Sequence, residues 1–203
     1  DVAVTGVQTC ALPISLAPLL TAGVSVLFLE EGLSAGQVVG VAILAGGVWF
    51  MSLRGGRQAN RIETATVLWA LGTSCFIVAY TLTDGLGARQ AGSAHGYAAW
   101  LFALDGLVII AVCAAVRGRS SLVALARGWR VGVLGGLSSM AAYWLVIWAM
   151  TLAPIPLVAA WRETSVLFAA AISVMVLREP LTPWRVAAGL FIAAGIAFTR
   201  LAG

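Results

Sequence analysis

Three charged residues stand inside apolar sequence where no water is expected: Asp105, Arg162 and Glu163. A charge within a transmembrane helix costs several kcal/mol on insertion scales, so each needs either a partner or a task. Asp105 comes about eight residues into its apolar run and Arg162 about eight after Pro154, so at about 1.5 Å per residue each is expected roughly 12 Å deep. Two crossings separate the starts of these runs, which therefore begin at the same membrane face and can bring the three charges to one level. Arg162 and Glu163 are neighbours about 100° apart on a helix and cannot satisfy each other directly. A pairing of Arg162 with Asp105 fits better and leaves Glu163 over. The expected chemistry is binding and proton exchange: Arg162 anchors an anionic group of a small-molecule substrate, while Glu163 or Asp105 takes up and releases a proton. A fixed network that only locks two helices together is the competing reading.

Aromatic residues form a second candidate layer. Trp144 and Trp148 share a helix face at i, i+4, Tyr143 lies beside them, and Trp161 adjoins the charges. An apolar cavity with a few placed polar groups suits small amphipathic molecules, and this set could line one; packing or lipid contact is the alternative. Trp49, Trp69, Trp100, Trp129 and Trp184 lie nearer segment ends and are expected in the interfacial belt. Pro154 and Pro156 are expected to start a helix, with a broken helix end as the less common outcome. Gly128, Gly132 and Gly136, spaced by four, permit close helix contact. His95 reads as a solvated loop residue, and Ser25 and Ser173 as bonding back to their own helices. Cys10, Cys75 and Cys113 have no metal or redox spacing. No catalytic residue, metal site or cofactor is expected.

The elements that must position these residues follow from composition. Of 203 residues 61% are apolar and only 10% charged, against about 25% charged in a soluble globular protein. That is membrane composition. A hydrocarbon core about 30 Å thick needs roughly 20 helical residues per crossing, which allows about seven crossings and excludes a sizeable aqueous catalytic domain. Continuous apolar runs and 23 glycines speak for packed helices and against an outer-membrane barrel. The fold class is all-α, a polytopic helical membrane bundle.

Seven apolar segments stand out: 16–29, 37–53, 64–82, 97–116, 131–152, 157–177 and 184–199. Short breakers separate them, and residues 84–96 read as the longest loop. The strongest organisational signal is an internal repeat. Shifted by 148 residues, Leu16 to Gly55 aligns with Thr164 to Gly203, with 13 of 40 positions identical, among them Ser25/Ser173, Leu29/Leu177, Glu31/Glu179, Gly47/Gly195 and Gly55/Gly203. Five crossings separate the copies. An odd number reverses direction, so the copies are expected to run antiparallel, as inverted repeats of secondary transporters do.

The pattern L-x-E-x-L-[ST] between two apolar helices occurs at Leu29 to Ser34 and at Leu177 to Thr182. It resembles the EamA domain of the drug/metabolite transporter superfamily. PLVAAWRETSVLFAAAISVMVLREPL (Pro156 to Leu181) is similar to the ninth-helix region of a bacterial EamA subgroup, and YTLTDGLGARQAG (Tyr80 to Gly92) to the loop after the sixth helix. The resemblance implies a ten-helix permease made of two five-helix domains, moving small metabolites or drugs across the bacterial inner membrane. On that reading residues 16–55 are the last two helices of the first repeat and 62–203 a complete second repeat. Residues 1–15 are expected to be an extraneous tail, since GVQTCALPIS resembles translated sequencing adapter. Relatives often carry an Arg before the A-P-L of the fourth helix. The position that the repeat sets opposite Arg162 is here Ile14.

All twelve basic residues are arginines. Arg54, Arg57, Arg61, Arg117, Arg119, Arg127, Arg130, Arg178 and Arg185 fall on one face, with Arg89 and Arg200 on the other, which puts the first face in the cytoplasm and the C-terminus outside. The family resemblance implies the opposite end placement. The leading functional expectation is a secondary transporter, an exporter or exchanger working by rocking of inverted units. A membrane scaffold or subunit without transport is the alternative; an intramembrane enzyme lacks any histidine within the apolar segments. Expected partners are a small-molecule substrate, the lipid bilayer, and either the missing helices or a second copy, with no nucleic acid.

Overall fold

The computed structural model describes residues 17–29, 31–53, 64–118, 128–176, 178 and 182–202. The expected tail, five of the arginines (Arg54, Arg57, Arg61, Arg119, Arg127) and Glu179 lie outside these residues. The described elements are helical: α1 Ala17–Phe28, α2 Ala35–Leu53, α3 Thr64–Gln90, α4 Ala94–Arg117, α5 Trp129–Leu152, α6 Ile155–Arg162, α7 Ser165–Met175 and α8 Pro183–Leu201. Taking α6 and α7 as one span gives seven, matching the apolar segments. By length and composition α4, α5, α6–α7 and α8 can each cross a membrane, while α1 and α2 are shorter apolar helices.

Local sequence explains where several helices begin and end. Ser34 caps α2 through a capping box: its Oγ accepts from Gln37 N–H at 3.1 Å, and Gln37 Oε1 accepts from Ser34 N–H at 3.0 Å. The helix therefore starts two residues before the apolar run suggests. Ser93 Oγ caps α4 by accepting from Gly96 N–H, and Gly118, at φ 66°, closes that helix with its N–H on Ala114 O. Pro154 and Pro156 open α6 and Pro183 opens α8, positions where a missing N–H costs nothing.

Two boundaries differ from expectation. Residues 84–90 are not loop: α3 continues through them to Gln90, and only residues 91–93 turn. Buried positions Ser74, Val78, Thr81, Leu82, Gly85 and Ala88 keep helical spacing along α3, so packing outweighs the two glycines. Gly87 has a steric role, because a Cβ there would come 2.6 Å from the Tyr97 ring. The sixth apolar segment, expected as one helix, is interrupted at Glu163 and Thr164.

The described residues form two compact units, one of those up to 83 and from 153 onward and the other of those from 84 to 152, so the boundary falls within α3. In the first unit α1 packs on α6 and α2 on α8, around Ala22, Val41, Leu44, Val48, Leu157, Ala160 and Ile192. The bounds of α2 shifted by 148 are those of α8, and those of α1 fall on α7 within one residue. Helices α2 and α8 run antiparallel in near-backbone contact. A Cβ on Gly47 would lie 2.9 Å from Ile192 N, and one on Gly195 2.6 Å from Leu44 N. These contacts exchange under the 148-residue shift, since Gly47 maps onto Gly195 and Leu44 onto Ile192. The pair is thus self-complementary about a pseudo-two-fold axis, as an isologous interface is.

Further bonds tie the helix ends within this unit. Ser34 Oγ donates to Ala202 O at 2.7 Å. The Trp184 ring stacks on Phe50 with centroids 3.5 Å apart, and its Nε1 donates to Phe50 O. Ser25 Oγ is buried without a partner among the described residues, where a bond back to its own helix is expected; Thr21 makes such a bond, to Ala17 O at 2.8 Å. The second unit has a small core of Ala88, Ala98 and Ile147, flanked by Tyr97, Leu101, Phe102, Tyr143 and Trp144.

Candidate functional site

In the first unit the charges sit at the interruption between α6 and α7. Glu163 N–H reaches Ala160 O at 3.1 Å, Thr164 N–H Trp161 O at 3.0 Å, Val166 N–H Glu163 O at 3.1 Å and Leu167 N–H Thr164 O at 2.9 Å. All four are i→i−3 bonds. Glu163 (φ −65°, ψ −14°) and Thr164 (φ −61°, ψ −19°) have 3₁₀ geometry. The span therefore tightens for one turn instead of breaking open, a feature that mid-helix marks hinges and functional positions. Arg162 is the last residue of α6, half-buried, with its Nη1 3.5 Å from Tyr80 Oη on α3. Glu163 is half-buried beside it.

Both sides of this turn are held. At the start of α6, Ile155 N–H donates to Glu31 Oε2 at 3.0 Å, a carboxylate placed where the helix dipole favours it. Trp161 is half-buried, with Nε1 donating to Thr199 Oγ1 at 3.0 Å while that hydroxyl donates to Ile196 O at 2.7 Å. The Arg200 guanidinium lies over the Trp161 ring, 5.0 Å from its centroid. Glu31, the repeated turn acid, thus has a structural duty that the alignment alone does not reveal.

The second unit holds a polar junction that the sequence reading passes over. Asp84 on α3, only 7% exposed, accepts hydrogen bonds from Tyr97 Oη of α4 at 3.0 Å and Tyr143 Oη of α5 at 2.5 Å. Each carboxylate oxygen takes one hydroxyl. Nearby, Arg89 Nε donates to Met150 O at 2.8 Å in the last turn of α5, and Trp144 Nε1 donates to His95 Nδ1 at 2.8 Å. Phe102 meets Tyr143 edge to face at 6.2 Å. His95 is exposed, as expected of a solvated residue, but it lies in the first turn of α4 rather than in a loop and is tied to α5 through Trp144.

Of the residues singled out by sequence, Arg162, Glu163 and Trp161 come together at the 3₁₀ turn. Tyr143 and Trp144 come together at the Asp84 junction. Trp148, one turn further along α5, is 44% exposed, and Asp105 lies on an exposed face of α4. Tyr80, Asp84, Tyr97 and Thr199 were not singled out. Asp84 is hidden by the two glycines that follow it, Gly85 and Gly87, which read as a turn; the signal that finds it is the helical spacing of apolar and small residues from Ser74 to Ala88.

Residues 64–201 match the model of the EamA-like transporter family. The chain belongs to the EamA-like transporter family. It is a membrane transporter of the drug/metabolite type, as the L-x-E-x-L-[ST] turns suggest, and the family is one of transporters rather than enzymes. The matched region spans α3 to α8 and so takes in both the Arg162–Glu163 turn and the Asp84 junction. No curated protein and no solved structure matches the chain.

Proposed function

We propose that this EamA-family protein is a secondary transporter that moves small metabolites or drugs across the bacterial inner membrane by alternating access, as an exporter or exchanger. The observation that carries the reading is the 3₁₀ turn at Glu163 and Thr164, within an apolar span and flanked by Arg162. Transporters build binding sites on discontinuous helices, because a locally altered backbone can change direction and present polar groups at depth. Arg162 is the anchor for an anionic group on the substrate, a task suited to a permanently charged, multi-donor guanidinium. Glu163, next in the chain, exchanges a proton as that group arrives and leaves. Trp161, on the same turn, supplies apolar lining.

Purified protein in liposomes tests this, using ethidium, radiolabelled amino acids and radiolabelled monocarboxylates as probes with and without a proton gradient. Arg162→Ala is expected to slow uptake of the anionic probes roughly 10- to 100-fold, the loss of one hydrogen-bonded charged contact. Glu163→Gln is expected to flatten the pH dependence at an otherwise measurable rate. Wild-type rates and pH profiles in both variants would leave the two residues as a helix lock. Absence of uptake of every probe by the unmodified protein would favour a scaffold or subunit role.

A further inference from the structure

The proposed proton exchange at Glu163 leaves unused a more deeply buried carboxylate, Asp84. It lies six residues before the end of α3, about 9 Å along the helix from that end. Among the described residues its two hydrogen-bond partners are both hydroxyls, from two different helices. That choice of partner matters for proton chemistry. An arginine can only donate, so it serves an ionised carboxylate and opposes a neutral one; a hydroxyl donates and accepts, so it can serve both.

We propose that Asp84 is a proton-binding site of this transporter, built by Tyr97 and Tyr143. In the ionised state each carboxylate oxygen accepts from one tyrosine, a pairing that the two O···O contacts permit. On protonation, a proton from water forms an O–H bond at one carboxylate oxygen, and that O–H donates to the tyrosine oxygen it faces. The tyrosine hydroxyl rotates to release its own donor bond and accepts instead, so its oxygen keeps Asp84 as a partner while its hydrogen turns away, and the other tyrosine's bond is unchanged. The site therefore loads and unloads a proton without disordering the contact of α3, α4 and α5. The other titratable groups near it are engaged elsewhere. Arg89 on α3 is turned to Met150 O, and His95 on α4 accepts from Trp144 at Nδ1. From α5 the group that faces Asp84 is Tyr143.

The proton site stands on this geometry alone; its role as a coupling site rests on the transport reading above. The test is infrared difference spectroscopy of the full chain in lipid, titrated from alkaline to acidic buffer, following the carbonyl band of protonated carboxylic acids. The expected result is a band that Asp84→Asn removes and Asp84→Glu restores, and whose midpoint moves in both Tyr97→Phe and Tyr143→Phe. The tyrosine variants keep the carboxyl group and report even if Asp84→Asn does not fold. A carboxylic acid band unchanged by Asp84→Asn, or a midpoint that neither tyrosine variant moves, overturns the proposal. An Asp84 band in a protein that transports no probe supports the proton site and counts against transport. Transport without such a band counts against the proton site alone.

Discussion

The α2–α8 seam and the Asp84 junction hold helices together by opposite means. Along the seam, backbone meets backbone: Gly47 and Gly195 leave no room for a side chain, and the contact is specified by shape. At the junction, three helix segments meet around a small apolar core, and a carboxylate with two hydroxyls supplies the specificity. Dispersion contact of this density is rigid, because any added atom must displace backbone. A carboxylate with hydroxyl partners is adjustable, because the same atoms can rebond in another protonation state. Within one small protein, the seam suits a fixed element and the junction a responsive one.

The largest effect that would break this contrast is expected at the seam. Gly195→Leu should destabilise the protein by about 3 kcal/mol, the upper end for overpacking, and abolish a monodisperse peak in detergent chromatography, since even its Cβ would come 2.6 Å from Leu44 N. Gly23→Ala is the control. Nothing lies within 4 Å of a Cβ there, and helix propensity alone favours alanine by about 1 kcal/mol. An equal loss in both variants would show that the seam is not special.

A middle-sized effect is expected at the junction. Tyr143→Phe should lower thermal stability by about 2 kcal/mol, the value of a hydrogen bond to a charged group. Its size should depend on pH, whereas that of Gly195→Leu should not. The smallest effect belongs to the seam's edge. Ser34→Ala removes the α2 cap and the bond to Ala202 O and should cost about 1 kcal/mol without pH dependence. A pH-dependent Ser34 variant would blur the contrast between a fixed seam and a responsive junction.

Part of the candidate site is legible in the sequence, for a reason particular to membranes. Arg162 and Glu163 stood out because a charge amid apolar sequence has few cheap explanations, and the structure gives them a distinct location. That location was not legible. Nothing in Trp161-Arg162-Glu163-Thr164 forbids a regular α-helix, and a change from i→i−4 to i→i−3 bonding over one turn is too small a free-energy step for propensity to reveal. Asp84 was illegible for a different reason. One of its partners, Tyr143, lies 59 residues away, so a residue that looked like part of a polar turn became a buried acceptor only once α5 was in place.

The sequence by itself determined that this chain is a bundle of seven apolar helical segments, because the bilayer requires backbone hydrogen bonds to be satisfied locally and composition then marks each segment. It also determined, through the 148-residue repeat, which residues are equivalent. Only the tertiary structure decided that Gly47 and Leu44 meet Ile192 and Gly195 across an antiparallel seam, that α6 gives way to α7 at Glu163, and that two tyrosines close on Asp84. Those outcomes depend on distances between residues remote in the chain, which local composition does not encode.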